Sequence, residues 1–166
     1  MPRSGPKLIA VAALAALLGC PYGFAGGGLP SHIRTVAVLP FENATSMSEL
    51  QSELHDQLRR ALERRLGLRD ASETRADALV RGTITRYDND IPIAYSADPR
   101  QSTSARRRLQ IAIDVEIVDQ STGRTLWQRR NLTAEDDYGE RAEDDARRRA
   151  IEKLVADIIE GAQSQW

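Results

Sequence analysis

The sequence predicts an α+β fold in which two helices pack on one face of a four-stranded, mostly antiparallel sheet. Three observations predict it: two amphipathic helical stripes, one strictly alternating strand pattern, and three consecutive strand segments between the helices. The predicted order is strand, helix, strand, strand, strand, helix. Two helices that each carry one apolar stripe can both lie on one face of the sheet, which gives a two-layer sandwich.

The first strand and the first helix follow each other directly. Residues 35–41 (TVAVLPF) are apolar on both faces, as in an interior strand. Ser46 and Glu49 have the spacing of a capping box, which predicts that a helix begins there. Leucines then recur every fourth residue, and Gly67 is the predicted stop. The recurring leucines are Leu50, Leu54, Leu58, Leu62 and Leu66.

The next two predicted strands are separated by a long connection. Residues 79–87 form the second strand, with Gly82 as a bulge position. Residues 88–108 are polar and contain two prolines, which predicts a functional loop because ordinary connections are much shorter. In residues 109–118, apolar and polar side chains alternate, as in a strand with one buried face.

The last predicted strand and helix complete the order. A turn at Ser121-Thr122-Gly123 leads into the fourth strand at 124–132. Two charge-rich turns follow, and then a helix over 140–162 with its own apolar stripe. That stripe consists of Ala146, Ala150, Ile151, Leu154, Val155, Ile158 and Ile159.

The composition excludes several classes of protein. There are 23 basic and 24 acidic residues, whereas a nucleic-acid-binding domain has a clear basic excess, so no nucleic acid is expected as a partner. With 41% hydrophobic residues, the chain is too apolar to be disordered. The single cysteine, Cys20, excludes a disulfide framework and a zinc site made of several cysteines.

The N-terminus has the features of an export signal. Arg3 and Lys7 precede the apolar run 8–18, which spans only about half of a ~30 Å hydrocarbon core and is therefore too short for a transmembrane helix. The run ends Leu17-Leu18-Gly19-Cys20, which resembles a bacterial lipobox, the signal in which the cysteine is acylated and becomes the new N-terminus. By analogy with lipoprotein sorting, Pro21 in place of aspartate implies the outer membrane. We therefore expect a signal peptide at 1–19, a lipidated, glycine-rich spacer at 20–33 and one domain at 34–166.

No pattern of residues in the sequence predicts catalysis, a cofactor or a metal. Nucleophile-elbow, phosphate-loop and dinucleotide-binding motifs are absent from the sequence. His32 and His55 lack a second ligand at metal-binding spacing, and His55 is expected to be solvated. Carboxylates cluster at 135–137 and 143–145 and are interpreted as acidic residues at the start of a helix. The chain is therefore not expected to be an enzyme.

Two basic runs have alternative interpretations. Arg106, Arg107 and Arg108 follow the predicted loop and could bind phosphate groups in a bidentate manner. Charged residues that discourage pairing at a sheet edge are the simpler explanation, both for these three and for Arg129 and Arg130.

Several segments resemble the LptE family of lipopolysaccharide-assembly lipoproteins. They are residues 29–45 (LPSHIRTVAVLPFENAT), Ala76-Asp77-Ala78 before RGTITRY, the hairpin VEIVDQSTGRTLWQRR, and Tyr22 and Phe24 after the cysteine. The resemblance covers nearly all of the chain after Cys20, in the order the family has. The family more often has glycine directly after the cysteine, where this chain has Pro21.

The resemblance implies an outer-membrane lipoprotein that plugs a large β-barrel translocon, LptD, and supports its assembly and the transport of lipopolysaccharide. It also implies that basic residues of the sheet and its loops contact the glycolipid, for which Arg86, Arg106, Arg107 and Arg108 are the candidates by location. A second resemblance exists: AVLPFEN after a lipidated cysteine is similar to envelope lipoproteins of the curli-secretion or penicillin-binding-protein-activator type, which act as assembly or regulatory modules. Those proteins have more alternating strands and helices than this chain can hold.

Overall fold

Two α-helices, a one-turn 3₁₀ helix (Glu73–Arg75) and six strands are present in the part of the chain that the computed structural model describes, residues 29–95, 104–139 and 141–164. The predicted signal peptide, Cys20 and most of the glycine-rich spacer lie outside these ranges. The α-helices are α1 (Glu49–Leu66) and α2 (Glu143–Ser164). The strands are β1 (Thr35–Val38), β2 (Glu42–Asn43), β3 (Arg69–Asp70), β4 (Ala78–Tyr95), β5 (Ser104–Asp119) and β6 (Thr125–Tyr138).

The strands form one mixed sheet. Its order is β3-β1-β4-β5-β6, and β2 pairs with β4 beyond the end of β1. β1 is parallel to β3 and β4, whereas β4, β5 and β6 are antiparallel to one another. The four predicted strands correspond to β1, β4, β5 and β6, so the α+β prediction is confirmed, and the two-residue strands β2 and β3 add to it.

The segment that joins β1 to α1 differs from the prediction in two details. The strand ends at Val38 instead of Phe41, since Pro40 has no N–H to continue the ladder. The predicted capping box does not form, because α1 begins at Glu49 after Ser48 and has no side-chain cap. The Asn43 side chain organises this turn instead: its Nδ2 donates to the Met47 carbonyl at 2.8 Å.

The core lies between the helices and one face of the sheet. The predicted leucine stripe of α1 is buried except for Leu66, which is half-buried, and all seven predicted stripe residues of α2 are buried. Gly67 ends α1 with φ 68°, a left-handed conformation that favours glycine. Leu109 to Ile117 supply the facing sheet surface, where every second residue is at most 4% exposed. Neither helix in the described part of the chain is long and apolar enough to cross a membrane.

A polar network also ties the two helices to β4. Arg147 of α2 donates to both carboxylate oxygens of Glu53 of α1 at 3.2 Å. The Tyr87 hydroxyl of β4 donates to Glu143 of α2 at 2.9 Å, and Asn89 donates to the same carboxylate. Burial is the main cause that raises the pKa of Tyr87 to about 12, and the hydrogen bond from Tyr87 to Glu143 is the second.

The predicted loop at 88–108 is wrong over most of its length. β4 continues to Tyr95 and β5 begins at Ser104, with Asp88 opposite Gln110 and Ile91 opposite Arg108. Within the predicted loop, residues 96–103 lie outside the described ranges. Antiparallel pairing satisfies the backbone of these polar segments without an apolar face, and irregularities in the register accommodate Pro92.

Two other expectations about this part of the sheet are corrected. β6 runs to Tyr138 instead of ending at residue 132, so the carboxylates at 135–137 are in a strand, and only those at 143–145 begin a helix. Gly82 pairs regularly with Val115, and the nearby bulge falls between Ile84 and Arg86.

Candidate functional site

The face of the sheet opposite the helices is polar and charged. Side chains alternate along a strand, so the residues between the buried positions of β5 lie on this second face, termed the open face. On β5 they are Arg106, Arg108, Gln110, Ala112, Asp114, Glu116 and Val118. Because no helix covers this surface among the described residues, the open face is the candidate functional site.

Strand alternation separates the three consecutive arginines that the sequence suggested as one cluster. Arg106 and Arg108 lie on the open face, whereas Arg107 lies on the other face, where its guanidinium pairs with Asp90 at 3.1 Å. Arg86 of β4 is opposite Ala112, so it shares the open face with Arg108. The structure therefore brings together three of the four predicted arginines and sets Arg107 apart.

Arg108 is held by two carboxylates of β6. Its Nε donates to Asp137 at 2.8 Å, and its Nη1 lies 3.2 Å from Glu135. The hydrogen bond from Arg108 is the main cause that lowers the pKa of Asp137, and the nearby charge of Arg106 lowers it further. The positive charge of Arg108 is thus largely compensated within the sheet.

Arg86 belongs to the same row of polar groups. Its Nη1 is 3.5 Å from the Gln110 side-chain oxygen and its Nε is 3.9 Å from Asp88. Gln110 in turn donates to Glu135, the carboxylate that also contacts Arg108. Arg86, Gln110, Arg108 and Glu135 therefore form a continuous polar row that crosses β4, β5 and β6.

A shallow cleft of about 450 Å³ opens on the sheet beyond this row. Arg81 of β4 and Glu116 of β5 form an ion pair at its rim. Arg129 and Arg130 of the edge strand β6 also line it, and neither guanidinium has a partner among the described residues. Their position on an edge strand agrees with the interpretation that they discourage pairing by another chain.

The two histidines have different surroundings. Nε2 of His32 lies 2.9 Å from the buried carboxylate of Asp119, which also accepts hydrogen bonds from Ser121. His55 is half-buried instead of solvated, and its Nδ1 has no hydrogen-bond partner among the described residues. Nowhere in residues 29–95, 104–139 and 141–164 do three or more His, Cys, Asp or Glu side chains group as metal ligands.

The sequence reasoning missed the acidic partners of the arginines. The interpretation of Glu135 and Asp137 as acidic residues at the start of a helix is wrong, and their spacing of two residues is the spacing of one strand face. That spacing was the one available signal, because nothing local indicates that β6 pairs with β5 this far.

Comparisons with solved structures show the fold. PelC from Paraburkholderia phytofirmans, solved as a dodecamer, is 15% identical with a TM-score of 0.54, over 78% of this chain and 92% of PelC. Protein XCC0632 from Xanthomonas campestris is 13% identical with a TM-score of 0.56, over 75% of this chain and 81% of that one. The hypothetical protein CT253 from Chlamydia trachomatis is 15% identical with a TM-score of 0.51, over 77% of this chain and 96% of that one.

The family match is more informative than these distant structural similarities. No protein with a curated description matches the sequence significantly. The family model of LptE, described as lipopolysaccharide-assembly, matches residues 33–160, which include α1, most of α2 and all six strands. This match agrees with the first of the two resemblances seen in the sequence. The chain therefore belongs to the LptE family of lipopolysaccharide-assembly lipoproteins.

Proposed function

We propose that this protein is an outer-membrane lipoprotein, acylated at Cys20, that forms the plug of an LptD-like β-barrel. In this role it supports assembly of the barrel and transport of lipopolysaccharide to the outer leaflet, and it catalyses no reaction itself. The observation that carries the proposal is the LptE family match over residues 33–160.

The anchor part of the proposal depends on Leu17-Leu18-Gly19-Cys20. Several acyl chains give the stable membrane attachment that a single chain does not. Metabolic labelling with a fatty acid should mark the native protein and should leave a Cys20→Ala variant unmarked. Fractionation of inner and outer membranes then tests the sorting inferred from Pro21. Native protein without label would contradict acylation.

The barrel partner is tested by purification of the native protein from detergent-solubilised membranes. We expect a large outer-membrane β-barrel to co-purify, and depletion of this protein should lower the amount of correctly assembled barrel. A plug is partly enclosed by its partner, so the domain should be cut more slowly by protease in the complex than in the free protein. A barrel that assembles normally after depletion would contradict the plug role.

For contact with the glycolipid we propose Arg86, Arg106 and Arg108 on the open face. Guanidinium groups bind phosphate through charge-assisted hydrogen bonds that contribute about 1.5–3 kcal/mol each. A phosphate that binds Arg108 must compete with Asp137 and Glu135, which already accept from it. The net gain is therefore smaller than for three unpaired arginines, and we expect the triple Arg→Gln variant to bind purified lipopolysaccharide roughly tenfold more weakly.

Two further variants make this test specific. Asp137→Asn removes a competing carboxylate without a change in side-chain size, so it should strengthen lipopolysaccharide binding. Arg107→Gln is the matched control, because it neutralises an adjacent arginine that lies on the other face and pairs with Asp90. Equal losses for Arg107→Gln and Arg108→Gln would exclude the open face as the contact. The plug role would remain, since it depends on a broader surface.

A further inference from the structure

A second basic surface lies on the helix layer, on the side of the domain away from the open face. Arg60, Arg64 and Arg65 of α1 line a groove of about 440 Å³ beside α2. All three side chains are exposed, and none of their guanidinium groups has a hydrogen-bond or ion-pair partner among the described residues. Glu152 is the one carboxylate in the lining of this groove, so the arginines outnumber it three to one.

The arginines around the groove differ in whether a carboxylate is within reach. Arg59, which precedes the groove residue Arg60, pairs with Asp70 at 3.3 Å. On the open face, Arg81 and Arg108 also contact carboxylates, whereas Arg129 and Arg130 of the cleft are unpaired among the described residues, like the groove residues. The helix dipole accounts for basic residues in the last turn of α1, which holds Arg64 and Arg65. It does not account for Arg60, one turn earlier, or for the convergence of all three on one groove.

The groove lies near the end of the domain where the chain arrives from Cys20. After α1 ends at Leu66, the backbone N–H of Arg69 donates to the carbonyl of Arg34 at 3.0 Å, and Thr35 pairs with Arg69. Nine residue steps separate Cys20 from Leu29, the first described residue, so covalent geometry keeps them within about 32 Å of each other. Acyl chains on Cys20 would therefore hold this end of the domain close to a membrane surface.

We propose that Arg60, Arg64 and Arg65, termed the groove arginines, dock on the anionic phosphate headgroups of the bilayer that holds the acylated N-terminus. The proposal rests on the proposed acylation for the nearness of the membrane, but the docking itself needs only the groove. Unpaired guanidinium groups favour this occupant, because they bind phosphate without the displacement of an existing carboxylate partner. Each arginine near an anionic bilayer raises binding about fivefold, so three together contribute about a hundredfold.

The test uses the mature chain with Cys20→Ala, so that binding to added vesicles does not depend on acylation. Vesicles of phosphatidylcholine mixed with phosphatidylglycerol are compared with vesicles of pure phosphatidylcholine by co-sedimentation. We expect binding to the anionic vesicles alone, and a steep loss of that binding as salt rises, because screening shortens the range of exposed charges. Equal binding to both kinds of vesicle would overturn the proposal.

Matched variants then assign the effect to the groove. Gln in place of all three groove arginines should weaken binding to anionic vesicles about a hundredfold, and the triple Lys variant should retain it. The control replaces Arg129, Arg130 and Arg141 by Gln, which changes the net charge by the same amount at three exposed positions elsewhere. Circular dichroism shows that each variant is folded.

Two results would refute docking by the groove. Equal losses in the two triple Gln variants would mean that net charge alone drives the binding. Binding of the groove arginines to lipopolysaccharide micelles but not to phospholipid vesicles would assign them to the transported glycolipid instead. Fatty-acid labelling of Cys20 is a separate measurement, so failure of acylation and failure of the groove are distinguishable.

Discussion

Gly82 is a position where the structure predicts a large effect from the addition of one methyl group. It lies in β4 opposite Val115, and a Cβ atom added to it would be 2.2 Å from the Asp114 carbonyl oxygen and 2.6 Å from Cε1 of Phe41. Neither neighbour can move easily, since one is backbone of the adjacent strand and the other is a side chain that is 1% exposed. Gly82→Ala therefore forces the strands apart or displaces a core aromatic ring.

The expected cost lies at the upper end of the range for overpacked cores, about 3 kcal/mol. For a domain of this size, that lowers the melting temperature by roughly 10 °C. The assay is urea unfolding followed by circular dichroism, with the midpoint and the slope fitted separately. Gly139→Ala is the control, because a Cβ there has nothing within 4 Å, and we expect a change below about 0.5 kcal/mol. Equal midpoints for the two variants would refute the close approach of Phe41 and β5 to Gly82.

Two further predictions concern the pH dependence of stability. The pKa of Tyr87 is raised to about 12, so its contribution to the free energy of unfolding is complete below the unfolded pKa of about 10 and is lost as the pH rises from there to about 12. Tyr87→Phe removes the hydrogen bond to Glu143 and should cost about 1–2 kcal/mol in urea unfolding at neutral pH. The variant should also lose less stability than wild type between about pH 10 and about pH 12. Hydrogen bonds, chiefly from Ser121, lower the pKa of Asp119, so its contribution is complete above the unfolded pKa of about 4 and is lost as the pH falls below it. Asp119→Asn should therefore be less stable than wild type at neutral pH, and the difference in their urea midpoints should become smaller as the pH falls below about 4. A difference that stays constant with pH would contradict a lowered pKa for Asp119.

The elements that could be read from the sequence are those whose pattern is set by one-sided burial. The leucines of α1 and the alternation of β5 each place apolar groups on one side at the period of their own structure. Gly67 was recognisable as the end of α1, since a left-handed residue at a helix end favours glycine. These features depend on residues close together in the chain, so the amino-acid sequence is sufficient to show them.

The long hairpin of β4 and β5 could not be read in this way. Residues 88–95 and 104–108 carry mostly polar side chains and a proline, which locally favour a loop. These two segments form strands because the backbone N–H and C=O groups of each pair with those of the other. Pairing of β5 with β6 extends the same ladder as far as Tyr138. Such pairing joins residues far apart in sequence and leaves no local signal.

The sequence by itself determined the fold class, the two helices and the residues that form the core. It did so because the apolar residues that become buried recur at the period of a helix or of a strand. It also showed the family, through short motifs in a consistent order, which the family match over 33–160 confirms. The tertiary structure alone decided how the charges are used. Strand alternation divided Arg106 and Arg108 from Arg107, and cross-strand pairing placed Asp137 against Arg108. Whether an arginine is compensated or free depends on its neighbours in space, which is why the unpaired groove arginines became visible only in the folded chain.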